Sequence, residues 1–353
     1  MTEPLVSVVI PTYNRAYCIE RAIDSVLAQS NANVEAVVID DGSKDQTDAL
    51  MQRRYGNDPR VRYFYQENTG ISGARNAGLQ RVRGDYVALL DSDDDWAPWK
   101  LELQIACMRA HPELGMTWTD MIALGPSGEK THDAYLRVMY DAYRWFPKPE
   151  GLFQSSQPID AVAPRAAEIA PGRRFYFGDI GAEMLMGNLV HTSTVVLTRA
   201  RADMIKSFRE DLRHAGEDFE FHLRTCRAGP VGFLDVSAIR YQRGRADQAT
   251  KPANQIHLAQ NFLRVIEPIL KAERNSLRLP LRMQNAVLAE AHAWVGQVRL
   301  DMGDAAIARR ELLQSLACQP LQARTARLLV AACLPPQLRQ TVRRLYRRAR
   351  GRG

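Results

Sequence analysis

The stretch VRGDYVALLDSDDDWAP, residues 82–98, sets how the rest of the chain is read. Its apolar run, Tyr86-Val87-Ala88-Leu89-Leu90, ends in four carboxylates within five residues: Asp91, Asp93, Asp94 and Asp95. The run is too short for a helix and has the unbroken apolarity of a strand buried on both faces. In an open α/β sheet, ligands bind at the C-terminal strand ends. Carboxylates crowded there repel one another unless a cation meets them. Their hard oxygens suit Mg2+ or Mn2+, ions that in turn hold phosphates. The competing reading is a solvated acidic turn in which Asp95 caps the following helix, with Asp94 and Asp95 shaping its start.

Upstream, residues 5–10 form a β-branched run closed by Pro11, and residues 34–39 and 61–65 repeat the strand pattern. Ile19, Ile23, Val26 and Leu27 recur at helical spacing between the first two. Asp45 or Thr47 can cap a second helix running to about 55, and a third, rich in small residues, fits 71–82. After the acidic turn, Leu101, Ile105 and Met108 share a helix face, and 115–119 reads as a strand. Strand and helix alternating at this pace predict a mostly parallel sheet with helices on both faces, and this first block closes near residue 120. Residues 125–180 are rich in proline, glycine and aromatics with poor periodicity, so long ordered loops with short helices are expected. Strand pattern returns at 194–197, 231–236 and 238–243, with a helix at 217–228.

From about 254 the chain reads as helical. Gly296, Ala308, Leu312 and Pro320, with Gly303 in the turn, resemble a single tetratricopeptide unit, and an ordinary helical hairpin fits equally well. One hairpin cannot bury its own apolar face, so it needs a neighbour to pack on. The expected divisions are 1–120, 121–250, 251–336 and a basic tail, 337–353. Nine arginines from Arg324 onward, with no acid among them, exceed the whole net charge of +7. A near-neutral body with a basic tail is not the profile of a nucleic-acid-binding domain, and no specific nucleic acid is expected as a partner. Five scattered cysteines with no C-x-x-C pair argue for a reducing compartment, and the N-terminus shows no signal-peptide pattern.

Four strand ends thus bring polar residues to one sheet edge: Pro11-Thr12-Tyr13-Asn14-Arg15, Asp40-Asp41-Gly42-Ser43, the segment from Asn68 to Asn76 that carries Arg75, and Asp91-Ser92-Asp93-Asp94. A carboxylate there can accept the imide N–H of a uracil or the hydroxyls of a ribose. Tyr13 can pack on a base. Carboxylates around Asp93 can hold a cation against a pyrophosphate, with Arg75 as a second counter-charge.

Together VSVVIPTYNR (6–15), VVIDDGSKDQT (37–47), NTGISGARNAGL (68–79) and LLDSDDDWAP (89–98) resemble an inverting family 2 glycosyltransferase of the GT-A fold. That resemblance implies a Rossmann-like α/β domain, here followed by an α-helical C-terminal module. It also implies a nucleotide-sugar site of Pro11, Thr12, Tyr13, Asp41, Arg75, Asp91 and Ser92, with Asp41 facing uracil and Arg75 near the diphosphate. Asp91-Ser92-Asp93 matches the D-x-D motif, which implies Mg2+ or Mn2+ held by Asp93 with Asp91 in support. The pair Glu217-Asp218 fits the acids this family places at a helix start, with Asp218 as the base and Glu217 holding geometry; helix-dipole pairing is the competing account. His191, His214 and His222 could serve chemically but sit in no motif.

No Q-x-x-R-W follows the acid pair, so single-sugar rather than polymerising transfer is expected. Relatives often carry a histidine where this chain reads Tyr241-Gln242-Arg243-Gly244-Arg245, and Arg243 or Arg245 could supply charge instead. The expected partners are a nucleotide diphosphate sugar, UDP-linked, and a glycan or lipid-linked acceptor of cell-surface polysaccharide synthesis. The expected place is the cytoplasm, peripheral on the inner membrane face, where Leu338, Val342, Leu345 and Tyr346 give the arginine-rich tail an apolar stripe for anionic lipid. Two alternatives stand beside this reading: a binding or scaffold protein that keeps the fold without catalysis, and a sugar nucleotidyltransferase, whose Gly-rich N-terminal loop is missing here.

Overall fold

The computed structural model describes residues 3–30, 33–212, 214–244 and 254–335. The basic tail and Arg245, on which two of the expectations fall, lie outside the described residues. The N-terminal apolar runs become β1 (Leu5–Thr12), β2 (Asn33–Asp40), β3 (Val61–Tyr65) and β4 (Tyr86–Leu89), alternating with α1 (Ile19–Leu27), α2 (Thr47–Tyr55) and α3 (Ile71–Leu79). The strand β1 pairs in parallel with β2 on one side and β4 on the other, and β2 carries β3 outward. Side chains alternate across the pleat. Val37 and Ile39 pack with Ala74 of α3, so Ala36 and Val38 point to the opposite face, and all four strand residues are fully buried. Each such aliphatic side chain contributes roughly 1.5–3 kcal/mol on burial. A Cβ on Gly78 would lie 2.2 Å from Val9 Cγ1, so glycine at this position lets α3 lie this close to β1.

The acidic turn leads into β5 (Asp95–Trp96), α4 (Lys100–Ala110) and β6 (Met116–Leu124). Asp95 does not cap a helix. The helix α4 opens at Lys100, while Asp95 is a buried strand residue paired to Arg21 Nε at 2.9 Å and to Arg240. Two guanidinium partners hold a carboxylate more strongly than the half-charge of a helix N-terminus.

The stretch expected to be loops and short helices also holds strands. It contains β7 (Lys130–His132), α5 (Leu136–Met139), β8 (Ser155–Pro158), α6 (Ala166–Ile169) and β9 (Arg174–Gly178). Phe175, Tyr176 and Phe177 put aromatics on both faces of β9, which hides the two-residue period. After β10 (Val196–Thr198), α7 (Arg199–Ile205) and α8 (Glu217–Arg227), the two strands expected at 231–236 and 238–243 prove to be one, β11 (Val231–Gln242), with register shifts around Ser237. The full order is β3-β2-β1-β4-β10-β6-β11-β9-β8. The strand β10 runs antiparallel to β4 and β6, and β9 and β8 are antiparallel as well, so the sheet is parallel in its first half and mixed beyond it. With β2 to one side of β1 and β4 to the other, the winding reverses at β1. At such a reversal an α/β sheet opens a crevice beyond its strand ends.

The chain divides into two compact units, the second made of the described residues 214–216 and 254–335. It contains α9 (Gln255–Ala272), α10 (Leu281–Met302), α11 (Ala305–Cys318) and α12 (Ala323–Cys333). The expected hairpin is α10–α11, turned by Gly303 at φ +98°, with Ala308 and Leu312 fully buried. Its neighbours are helices: α9 packs on α10 and α12 on α11, covering the face one hairpin leaves open. No helix among the described residues is long and apolar enough to cross a membrane.

Candidate active site

The strand β1 ends in buried Pro11 and Thr12 and hands over to Tyr13, which is 45% exposed. Next, Asn14 adopts φ +53°; its N–H donates to Ser43 Oγ at 2.8 Å and its Oδ1 accepts from the Lys44 N–H at 2.8 Å. These bonds join the ends of β1 and β2 into one rim. On that rim Asp41 is only 3% exposed. Its Oδ1 accepts from the Thr69 N–H at 2.9 Å, the Gln66 amide at 2.8 Å and the Thr69 hydroxyl at 3.1 Å, and its Oδ2 from the Gly70 N–H at 2.8 Å. Asp41, expected to face a uracil, is the acceptor for these four donors of its own chain. Its carboxylate shapes the turn at 68–70, where the chain itself keeps donors within reach.

The acidic turn sorts its carboxylates by exposure. Asp91 and Asp93 keep side-chain exposures of 28% and 22%, while Asp95 falls to 2%. The Asp94 N–H donates to the Asp91 carbonyl at 3.1 Å and closes the turn, with Ser92 buried inside it. Burial, then Asp93 and Asp91, push the Asp94 carboxyl well above the usual range, and its Oδ2 accepts from Ser193 Oγ at 2.6 Å. Arg21 Nη2 donates to the Asp93 carbonyl at 2.8 Å, and Arg15 Nη1 lies 3.8 Å from Asp93 Oδ2. Among the described residues no group of three or more His, Cys, Asp or Glu is arranged to hold a metal. Two outward carboxylates are too few for a protein-only cage. They fit a divalent cation that takes its remaining oxygens from phosphates and water.

Arg75, on α3, is 4% exposed and bridges two distant acids. Its Nη2 donates to Asp91 Oδ1 at 2.8 Å, and its Nη1 to Glu217 Oε1 at 2.9 Å, 142 positions away. The Phe208 ring lies 5.2 Å from the guanidinium. Burial opposes the charge, but Asp91 and Glu217 outweigh it, and the Arg75 pKa is raised. Both terminal nitrogens of Arg75, the counter-charge expected near a diphosphate, tie the acidic turn to the start of α8. Burial works against the Asp91 carboxylate too, but Arg75 holds its pKa below the usual range. At Glu217, burial and then Asp218 push the carboxyl up to about 7, with Arg75 pulling the other way. Asp218 beside it is partly exposed; its Oδ1 accepts the Phe219 N–H at 2.7 Å, and its Oδ2 accepts no hydrogen bond among the described residues.

Several residues here have no motif to announce them. Tyr140 is raised well above the ordinary tyrosine range by burial first and then by Asp218, with Asp91 contributing, which brings the aromatic stretch into the site. Tyr135 and Tyr241 stack at 6.0 Å, and Arg243 lies over the Tyr135 ring at 5.1 Å. His191 stands edge-on to Tyr241 at 5.3 Å. The only sequence signal for this group is its aromatic density, which carries no direction.

Residues 7–162 match the model of Glycosyl transferase family 2. An uncharacterized glycosyltransferase of Rickettsia typhi is 45% identical over 253 residues, 72% of this chain and 68% of the relative. Chondroitin synthase of Escherichia coli is 37% identical over 137 residues, 39% of this chain and 20% of the synthase. The fold is similar to the crystal structure of S. aureus TarS 1-349 in complex with UDP-GlcNAc, with TM-score 0.56 and 16% identity over 92% of this chain and 84% of that one.

Proposed function

This chain belongs to glycosyltransferase family 2, and from that membership we propose that it moves a sugar from a nucleotide diphosphate donor to a hydroxyl acceptor with inversion. The observation that carries the reading is the Arg75 bridge. Asp91 and Glu217 share one guanidinium at 2.8 and 2.9 Å, so the cation-binding turn and the candidate base lie in one crevice. Asp218 takes the acceptor's proton through the oxygen left free by the Phe219 N–H. The acceptor oxygen bonds to the anomeric carbon as the bond from that carbon to the diphosphate breaks, its electron pair leaving on the diphosphate. Asp93, with Asp91 in support, would hold Mg2+ or Mn2+, whose chemistry is to neutralise that leaving charge. Glu217 stays on Arg75 and fixes the start of α8. Asp41, through the turn at 68–70, shapes the nucleoside side, and Tyr13 offers a ring for the base.

A UDP-linked donor is favoured by the UDP-GlcNAc in the TarS complex. The match to chondroitin synthase favours a saccharide acceptor, free or lipid-linked, in cell-surface polysaccharide synthesis. The arginine-rich sequence at 337–353 supports work on an anionic membrane surface at the cytoplasmic side. The test is a panel of nucleotide sugars with Mn2+ and the purified chain, read as release of nucleoside diphosphate. At least one donor turns over, and Asp93→Ala and Asp218→Asn each lower the rate by about 10²-fold or more, the scale of a lost general base or metal ligand. Full activity in either variant removes that residue from its role.

A further inference from the structure

Ser193 has a partner for every polar group it carries, and its hydroxyl is built into the acidic turn. Its Oγ accepts the Asp91 N–H at 3.1 Å and donates to Asp94 Oδ2 at 2.6 Å, and its carbonyl accepts from Trp96 Nε1 at 2.8 Å. Its own N–H donates to His191 Nδ1 at 3.3 Å. That bond settles the proton on the imidazole: an Nδ1 that accepts leaves the hydrogen on Nε2. Burial pulls the His191 pKa down, which keeps the ring neutral despite the acids around it. Those acids are Asp91, Asp218 and Asp93, the same three that the proposed reaction uses.

His191 is 8% exposed, yet Nε2 is not among the sealed, partnerless polar atoms, and no described residue accepts its hydrogen. A neutral N–H donor is therefore left unsealed on a ring that has Asp91, Asp93 and Asp218 for neighbours. The ring is anchored through Ser193 to the turn that would carry the cation.

Resting on the proposed function, we infer that His191 Nε2–H donates a hydrogen bond to the diphosphate of the nucleotide sugar, with Ser193 as the residue that positions the ring. A fixed donor aimed where charge collects on the leaving group strengthens as the bond to the sugar breaks, and costs no reorganisation at that moment.

Calorimetric titration with UDP and with UMP, both with Mn2+, separates this contact from a structural role. His191→Asn keeps a side-chain oxygen to accept the Ser193 N–H but has no donor at the reach of Nε2. It binds UDP about tenfold more weakly than wild type, as loss of one hydrogen bond to a charged group predicts, and binds UMP equally well. His191→Gln, whose amide reaches further, recovers most of the UDP affinity. Unchanged UDP affinity in His191→Asn overturns the inference, and so does a parallel loss of UMP and UDP. If the wild-type chain binds neither UDP nor GDP with Mn2+, the functional reading itself fails, whatever the variants do.

Discussion

Replacing Arg75 by methionine keeps the volume of the buried side chain and leaves Asp91 and Glu217 facing each other without a cation between them. Both bonds are short, at 2.8 and 2.9 Å, and the guanidinium is almost fully enclosed. Removing one partner of a buried ion pair costs about 3–5 kcal/mol. At roughly 2–4 °C per kcal/mol for a domain of this size, melting falls by about 6–20 °C. The loss depends on pH with a definite sign. In the wild type the Glu217 pKa, raised to about 7, lies above its ordinary value of 4.5, so the folded state binds the extra proton. Stability from that group falls as pH rises from about 4.5 to about 7. Arg75 is the influence holding the pKa down, so the methionine variant extends the fall to higher pH. Thermal melts of wild type and Arg75→Met at pH 5 and pH 8 read this directly, and the gap between them is wider at pH 8. A gap of under about 2 °C, or one equal at both pH values, refutes the bridge as the element holding the two acids together.

Two further outcomes follow from buried groups. Lys100 is fully buried, 3.9 Å from the Trp96 ring centre, with no hydrogen-bond acceptor for Nζ among the described residues, and burial pushes its pKa well down. Lys100→Met removes that desolvation and raises stability by on the order of 1–4 kcal/mol in denaturant unfolding; a loss would mean the amine has a bound partner. His222 is buried with its pKa pulled to about 3, so its contribution is complete above pH 6.5 and is lost as pH falls towards 3. Between pH 6.5 and 5 the wild type loses on the order of 2 kcal/mol from this group and His222→Gln does not, which differential melts at those two pH values check.

The strands β1, β2 and β4 were readable because each is buried on both faces and ends in a turn residue or an acid; Val8, Val37 and Val87 have no other place to be. The acidic turn was readable as a ligand site, but not its division of labour. Nothing in the residue type distinguishes Asp93, facing the crevice, from Asp95, locked between Arg21 and Arg240, because the partners arrive from α1 and β11. The same holds for Arg75: its position in a motif suggested a phosphate contact, and only folding reveals Glu217 beside it. Strand β9 escaped because aromatic residues on both faces erase the alternation, and β8 because its four residues, Ser-Ser-Gln-Pro, have no apolar pattern to read. His191 carries no motif, and what gives it a place is the backbone of Ser193, which no spacing rule encodes.

The carboxylate of Asp41 has one more implication. It grips the N–H groups of Thr69 and Gly70, so the exit loop of β3 is held in shape by the chain's own contacts. The conformational entropy of that loop is given up once, during folding, and is not charged again to each binding event. Association with the nucleoside end should therefore resemble docking onto a rigid wall, with small side-chain adjustments and little ordering of backbone. Asp41→Asn puts an amide where two backbone donors need an acceptor, and it would move that cost from folding into binding. Its mark would be a more unfavourable binding entropy at nearly unchanged contacts.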